Sequence, residues 1–167
     1  MVIRKEEPKD HGAVRALNTA AFESTSEAAL VERLRRETEP TISLVAEEDG
    51  EIVGHIFFSP VSIDGHPELK AMGLGPMAVL PGRQRSGIGA GLVKEGLQKC
   101  RELQACAVVV LGHPAYYPRF GFVPAHHFGL SCTWEVPPEA FMALQLTAGC
   151  LEQVSGTVRY HPAFADA

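Results

Sequence analysis

A glycine-rich stretch flanked by basic residues carries the clearest chemistry in the sequence. Residues 75–91 begin as an apolar strand, cross a Pro-Gly break and enter a helical pattern through a basic turn. The first N–H groups of a helix have no partner within it and lie at the positive end of its dipole. Gly87 and Gly89 carry no side chain to keep an anion away, and Arg83 and Arg85 add positive charge. The stretch therefore predicts a site for a phosphate or pyrophosphate.

Two common phosphate loops fit this stretch poorly. A Walker A loop ends in Gly-Lys-Ser or Gly-Lys-Thr, whereas Gly91 is followed by Leu92. The dinucleotide fingerprint needs Gly-x-Gly-x-x-Gly directly after a strand. Here a basic turn comes first, and the glycines are spaced as Gly87-x-Gly89-x-Gly91. A third pattern, Gln/Arg-x-x-Gly-x-Gly/Ala, matches residues 84–89.

The N-terminal part of the chain predicts one strand and two helices. Residues 2–4 form the expected strand, and Asp10 is the expected N-cap of the first helix. Ser24 and Glu27 fit a capping box that would begin the second helix. Helical spacing gives these helices apolar faces made of Val14, Leu17, Ala21, Phe22, Leu30, Val31 and Leu34. The expected solvated face of the second helix consists of Arg33, Arg35, Arg36 and Glu37.

A strand–helix–strand unit surrounds the basic turn. Three antiparallel strands are expected before it, at residues 42–46, 52–63 and 69–79. Gly73, Gly75 and Pro76 interrupt the last of them, which indicates a bend. A helix follows from Ile88, and the continuous apolar run 105–111 is typical of a buried strand in a parallel pairing. Residues 69–111 therefore predict a right-handed βαβ unit. Further strands are expected at 129–135, 141–147 and 157–160.

Two motifs give the chain a family resemblance. Residues 84–89 resemble the coenzyme A pyrophosphate loop of the GNAT N-acetyltransferase superfamily. Residues 115–122 resemble a second family segment, aromatic-Tyr-x-Lys/Arg-x-Gly-Phe, in which a short helix carries a tyrosine. Tyr117 falls on that tyrosine, and Pro118 departs from the usual charged residue. The resemblance covers residues 2–123. More narrowly, residues 27–35, 113–117 and 160–164 resemble the YhbS-like group of predicted acetyltransferases.

The resemblance implies a fold and a reaction. The expected fold class is α/β (α+β), with one GNAT domain over residues 1–167, a mixed, mostly antiparallel central sheet flanked by helices, and a βαβ cofactor-binding unit. The expected reaction moves an acetyl group from acetyl-CoA to a primary amine of a small molecule or peptide, by direct attack in a ternary complex. The expected cofactor-binding residues are Met77, Ala78, Val79, Arg83, Gln84, Arg85, Ser86, Gly87, Ile88, Gly89, Ala90 and Tyr117.

Within that resemblance, two residues are expected to act on the reacting atoms. Tyr117 is the candidate general acid for the leaving thiolate, with a core tyrosine as the alternative interpretation. The backbone N–H of Met77 is the candidate oxyanion donor, and the strand edge at residues 77–79 would pair with the pantetheine arm as an added strand does. The general base is not identified. His113 is a candidate because it follows a central strand, and Glu23 and His66 are candidates on loops.

The net charge and the apolar segments of the sequence indicate which partners and which cellular compartment to expect. The 167 residues carry a net charge of −5, which argues against nucleic acid as the main partner. No segment approaches the apolar length of a membrane span, and residues 1–7 lack the apolar core of a signal peptide. A cytoplasmic protein that does not bind membranes is expected, and a homodimer is among the assemblies considered.

The cysteines and histidines suggest no metal. The four cysteines show no Cys-x-x-Cys spacing and are expected to be reduced and mostly buried, with a nucleophilic or metal-binding cysteine as the alternative. His126 and His127 have no evident third ligand. Two rival functions stay open: a non-catalytic acyl-CoA-binding or sensing module on the same fold, and a nucleotide-binding enzyme with a different phosphate loop.

Overall fold

Over the first two thirds of the chain, the strands and helices follow one another in the order that the sequence predicts. The computed structural model describes residues 1–166. The strands are β1 (Val2–Lys5), β2 (Ile42–Glu48), β3 (Glu51–Ile63), β4 (Ala71–Val79), β5 (Ala107–Leu111), β6 (Val123–Pro124), β7 (Leu130–Cys132), β8 (Phe141–Gln145) and β9 (Gly156–Arg159). The α-helices are α1 (His11–Phe22), α2 (Ser26–Glu37) and α3 (Ile88–Glu102). Short 3-10 helices lie at Pro8–Asp10, Tyr117–Phe120, Ala125–Phe128, Pro138–Ala140 and Pro162–Asp166.

The described residues form two compact units. The first consists of Met1–Ser59, Gly75–Gln98 and the described residues from Pro162 onward. The second consists of Pro60–Leu74 and Lys99–His161. Strands β3 and β4 and helix α3 each contribute residues to both units.

The first unit holds the N-terminal antiparallel strands and their helices. β1 pairs with β2, and β2 with β3, both antiparallel, with a register shift between Ala46 and Glu47. Helix α3 packs closely on β3, because a Cβ added at Gly96 would lie 2.2 Å from Cε1 of Phe58. An apolar cluster joins α2 to β3 and to the C-terminal 3-10 helix; its buried members are Leu30, Val31, Leu34, Phe57 and Ala163.

The second unit holds the parallel pair that the sequence predicts. β4 pairs with β5 in parallel, from Ala71↔Ala107 to Leu74↔Val110. β5 and β6 each pair with β8 antiparallel, β9 pairs with the end of β3 antiparallel, and β7 pairs with β9 in parallel. The buried members of its core are Val61, Ile63, Ala71, Cys106, Ala107, Val109, Ala125, Leu130, Phe141, Ala143, Leu151, Val154 and Val158. The mixed, mostly antiparallel sheet flanked by helices confirms the predicted fold class.

Three details at the N-terminal helices differ from the sequence predictions. Phe22, expected in the core, is 39% exposed because it is the last residue of α1, which ends at the left-handed Glu23. Ser24 does not cap α2, which begins at Ser26; its hydroxyl instead accepts the Ser26 N–H at 3.1 Å. Asp10 does occupy the N-cap position of α1, but its carboxylate accepts hydrogen bonds from Arg4 and from the Glu7 N–H rather than from α1.

The cysteine prediction is wrong for two of the four residues. Cys106, just before β5, and Cys150, after β8, form a disulfide. The sequence hides this pair because its members are 44 residues apart and meet only when β5 and β8 lie side by side. By the chain-entropy model, a loop of this length stabilises the fold by about 4 kcal/mol. Cys100 is buried and free, as expected, and Cys132 is free and half-buried.

Candidate functional site

The predicted phosphate loop links β4 to α3 in the first unit. Gly82, Arg85 and Gly87 have φ values of +88°, +65° and +85°, and Ser86 between the last two does not share the positive sign. Such alternation turns successive N–H groups towards one side, which is the backbone geometry of anion-binding concavities. Residues 84–87 are exposed, so this backbone faces solvent.

The start of α3 supplies further donors. The N–H of Gly91 bonds to the carbonyl of Gly87 at 3.0 Å, which is the first α-helical hydrogen bond here. The N–H groups of Ile88, Gly89 and Ala90 come before that bond and therefore have no acceptor within the helix. They lie at the positive end of the α3 dipole, where an anion is stabilised. The residues predicted to bind a pyrophosphate thus share one loop and one helix terminus.

The loop side chains have different surroundings. The Ser86 hydroxyl donates to the Arg83 carbonyl, and Nε2 of Gln84 donates to the Val79 carbonyl at 3.4 Å, so both side chains fold back onto the loop. Arg83 is paired with Glu48 across 3.0 Å. Because that carboxylate offsets much of the Arg83 charge, the exposed Arg85 is the arginine whose charge is more available to an anion.

The end of β4 is irregular where the sequence predicts a bend. The parallel ladder to β5 comprises Ala71–Leu74, and the next residue, Gly75, has φ +143°. Beyond it, Met77 and Val79 are half-buried and Ala78 is 3% exposed. This alternation is that of a strand with one face packed and one face partly open.

Tyr117 lies in the second unit, at the start of the 3-10 helix Tyr117–Phe120. Its side chain is 7% exposed, and its ring meets Tyr116 edge-on at 5.1 Å and Phe122 at 5.7 Å between centroids. Burial, together with the neighbouring Tyr116, raises the pKa of Tyr117 to about 12. The phenol therefore stays protonated at any ordinary working pH and is available as a hydrogen-bond donor.

The candidate bases lie on exposed or half-exposed positions. His113 is exposed in the second unit, and its carbonyl accepts the Tyr116 N–H at 3.0 Å. His66, in the same unit, has Nδ1 3.5 Å from Glu68. Glu23 is exposed at the end of α1 in the first unit. None of these contacts singles out one residue as the base.

The histidine pair and the cysteines offer little other chemistry. His126 and His127 are exposed, with ring centroids 4.9 Å apart. Across residues 1–166, no group of three or more His, Cys, Asp or Glu side chains is arranged to hold a metal ion. Burial raises the pKa of the Cys100 thiol to about 12, and Cys132 Sγ donates to the Trp134 carbonyl at 3.5 Å.

The first unit contains a buried row of hydrogen-bonded polar residues that was not predicted from the sequence. His55 and Asn18 are both fully buried, and Asn18 Nδ2 lies 3.3 Å from His55 Nδ1 and donates to the Val14 carbonyl at 3.0 Å. On the other side of the ring, Nε2 of His55 lies 2.8 Å from the Ser43 hydroxyl, which donates to Glu6 at 2.8 Å. A signal was present, because His55 interrupts an otherwise apolar run in β3, and a buried histidine needs partners.

The hydrogen-bond donors around His55 determine which of its ring nitrogens carries a proton. The Asn18 amide nitrogen donates to Nδ1, so Nδ1 carries no proton and Nε2 carries the one proton of a neutral ring. Nε2 then donates to Ser43, whose proton points to the Glu6 carboxylate. Arg35 completes the row, because its Nη2 donates to both Glu6 oxygens at 3.0 and 2.9 Å. Arg35, expected on a solvated face, therefore anchors α2 to Glu6.

The chain is similar in sequence to known acetyltransferases. A family model described as an acetyltransferase (GNAT) domain matches residues 2–125. The chain is 41% identical over 165 residues to the protein named Uncharacterized N-acetyltransferase YhbS from Escherichia coli (strain K12), covering 98% of each chain. It is 36% identical over 146 residues to Uncharacterized N-acetyltransferase YjhQ of the same strain, covering 83% of this chain and 81% of that one.

Solved structures give the same family. The crystal structure of Escherichia coli YhbS in complex with CoA matches with a TM-score of 0.92 at 40% identity, covering 98% of this chain and 91% of that one. A GNAT acetyltransferase from Brucella melitensis in complex with acetyl-CoA matches with a TM-score of 0.80 at 40% identity, covering 98% and 97%. Separately, none of the helices in the described part of the chain has the length and apolar character needed to cross a membrane.

Proposed function

Because the chain belongs to the GNAT acetyltransferase family, we propose that it transfers an acetyl group from acetyl-CoA to a primary amine by direct attack in a ternary complex. The observation that carries this proposal is the loop before α3. There Arg85 and Gly87 have left-handed backbones, and the N–H groups of residues 88–90 precede the first helical hydrogen bond of α3, an arrangement that suits an anion. Further support comes from the two relatives at 40% identity whose structures hold CoA and acetyl-CoA.

The loop fits a pyrophosphate. The N–H groups of residues 85–89, with that of Ala90, are the proposed donors to its oxygens, since backbone N–H groups at a helix start bind phosphates directly. A Cβ at Gly87 would meet nothing within 4 Å, so the space that an anion needs is open. Arg83, Gln84 and Arg85 line the same loop. The backbone of Met77, Ala78 and Val79 is the proposed edge for the amide groups of the pantetheine arm.

Direct transfer needs a donor at each place where negative charge develops. The neutral amine attacks the thioester carbonyl, and the Met77 N–H is the proposed donor to the carbonyl oxygen as it becomes an oxyanion. The C–S bond then breaks, and Tyr117 is the proposed general acid for the departing thiolate. Because the pKa of Tyr117 is about 12, the phenol still carries its proton when the C–S bond begins to break and can donate it to the sulfur. His113 is kept as a candidate to accept the proton that the amine loses.

The finer assignments belong to the same proposal. The proposed acceptor is a small molecule or a peptide with a primary amine. A cytoplasmic location stays a prediction, and so does a homodimer. The acceptor contacts of such enzymes lie on loops, which follow no recognisable code.

Two measurements, made one after the other, test the proposal. Calorimetry with acetyl-CoA, ATP and NAD, each titrated alone, is expected to show binding of acetyl-CoA only; binding of ATP or NAD in its place would contradict the cofactor assignment. Thiol release from acetyl-CoA is then followed against a panel of primary amines and peptides. Release that requires an acceptor supports transfer, whereas tight binding with no release across the panel would favour a non-catalytic acyl-CoA-binding module.

A further inference from the structure

The ring of Tyr117 lies directly against the backbone at the end of β5. A Cβ built on Gly112 would be 2.4 Å from Cε2, 3.0 Å from Cδ2 and 3.4 Å from Cζ of Tyr117. Two of these separations are at or below the closest approach that real Cβ atoms show, and the third involves the carbon that carries the hydroxyl. Any side chain at residue 112 would therefore displace the phenol end of the ring.

The backbone of Gly112 cannot easily move away. Its N–H donates to the Ala140 carbonyl at 3.0 Å, and the preceding residue, Leu111, is paired with Phe141 in the β5–β8 ladder. The φ angle of Gly112 lies outside the left-handed region, so alanine is compatible with its backbone. The cost of a methyl group at this position is thus the contact with the Tyr117 ring and not local strain.

Two aromatic rings also contact the Tyr117 ring. Tyr116 contacts it edge-on at 5.1 Å, and Phe122 at 5.7 Å. Tyr116 is itself held by Arg119, whose guanidinium lies 4.5 Å from the Tyr116 ring centroid and whose Nε donates to the Tyr116 carbonyl at 2.9 Å. A ring displaced by a side chain at residue 112 must move relative to Tyr116 and Phe122, and its hydroxyl moves with it.

We infer that Gly112 is a positioning residue, whose missing side chain sets where the Tyr117 hydroxyl lies during acetyl transfer. This inference rests on the proposed role of Tyr117 as general acid. Misplacement of a catalytic group by about 1 Å can cost about 10²-fold in rate. Gly112→Ala is accordingly expected to lower kcat by about 10- to 100-fold, with little change in KM for acetyl-CoA.

A double-mutant comparison separates positioning from a general loss of stability. In the Tyr117→Phe background, adding Gly112→Ala is expected to give no further fall in kcat, because the hydroxyl that it misplaces is already gone. Gly96→Ala is the crowding control, since its Cβ would press on the Phe58 ring in the first unit as closely as that of Gly112 presses on Tyr117. Equal falls in kcat for both glycine variants, or full additivity with Tyr117→Phe, would overturn the inference.

The remaining outcomes are also decisive. If Tyr117→Phe is slow and Gly112→Ala is not, the positioning role fails while the proposed function stands; if Tyr117→Phe is fully active, the role of Tyr117 fails first. If Gly112→Ala does not fold, the double variant Gly112→Ala/Tyr117→Leu, which lacks the crowded ring, is expected to fold. If the double variant also fails to fold, the proposed contact is not the cause. Independently of turnover, tyrosinate absorbance is expected to show a lower pKa for Tyr117 in Gly112→Ala, and an unchanged pKa would contradict displacement of the ring.

Discussion

The Ser43 hydroxyl lies 2.8 Å from Nε2 of the fully buried His55 and accepts a hydrogen bond from the N–H of the neutral ring. Burial, reinforced by the positive charge of Arg35, lowers the pKa of His55 from 6.5 to about 3. The unfolded chain thus takes up a proton on this residue below pH 6.5, while the folded protein does not until about pH 3. His55 therefore contributes stability that is complete above pH 6.5 and is lost as the pH falls through this window.

The free energy of unfolding is expected to fall on acidification below pH 6.5, by up to about 1.4 kcal/mol per pH unit from His55. Urea unfolding between pH 7.5 and 4.5 measures it. Asp10 contributes only below this range, because hydrogen bonds from Arg4 lower its pKa to about 2. His55→Gln should be less stable at pH 7.5 but show a flatter slope, whereas the exposed His127→Gln should keep the slope of the original protein. An unaltered slope in His55→Gln would contradict the assignment.

Gly87→Glu is expected to abolish nearly all acetyl-CoA binding, because a carboxylate and its bulk would occupy the anion site. Arg85→Ala removes one charge and should weaken binding by about 1–2 kcal/mol, as for the loss of a charge-assisted hydrogen bond. Arg83→Ala should weaken it less, since Glu48 already holds that guanidinium. Calorimetry of the three variants checks this order.

Gly65→Glu is the matched control for the glycine substitution. Gly65 has φ +82°, close to the +85° of Gly87, and a Cβ at either residue meets nothing within 4 Å. Both variants therefore place a side chain in open space at a similar positive φ, and only one places a carboxylate in the loop. If the acetyl-CoA affinity is unchanged in Gly87→Glu, or is lost equally in Gly65→Glu, the placement of the cofactor site in this loop is wrong.

Tyr117→Phe keeps the ring in its packed position and removes only the hydroxyl. Folding and acetyl-CoA affinity should change little, while kcat should fall by about 10²- to 10⁴-fold, the usual range for a lost general acid. Tyr116→Phe is the neighbouring control and should keep its turnover. Full activity in both variants would mean that the thiolate leaves without a tyrosine acid. Loss in Tyr116→Phe alone would move the role by one residue.

None of the cysteines is expected to carry the acetyl group. Cys106 and Cys150 are paired in the disulfide, and burial keeps Cys100 protonated by raising its pKa to about 12. Cys132 is the remaining thiol, so Cys132→Ser is the informative variant. Intact-mass measurement after acetyl-CoA treatment should show no stable adduct in either protein. An adduct lost in Cys132→Ser, together with ping-pong kinetics, would overturn direct transfer.

The part of the fold that the sequence predicts well is local in the chain. The loop before α3, its helix and the apolar strand β5 follow one another, so spacing, glycines and apolar runs suffice to place them. The buried row from Asn18 through His55 and Ser43 to Glu6 is different. Each of these residues is an ordinary polar residue in sequence, and only the folded arrangement of α1 and the N-terminal strands brings them within hydrogen-bond distance.

The same reason explains why the exposure of Phe22, the disulfide and the Gly112 contact were not predicted from the sequence. The spacing of α1 predicts which face Phe22 takes but not whether another element extends far enough to cover it. The disulfide depends on the pairing of β5 with β8, which cannot be derived from the positions of Cys106 and Cys150 alone. Likewise the contact of Gly112 with the Tyr117 ring depends on a turn whose backbone path no local motif specifies.

The disulfide makes the chain between Cys106 and Cys150 a closed covalent ring, and Tyr117 lies within it. A single protease cut inside the ring would leave both pieces joined, so the nicked protein would run as one molecule on a non-reducing gel and as two after reduction. A cut in the turn after β3 would separate the pieces under either condition. The oxidised protein can therefore lose the continuity of its backbone near Tyr117 and still remain a single molecule.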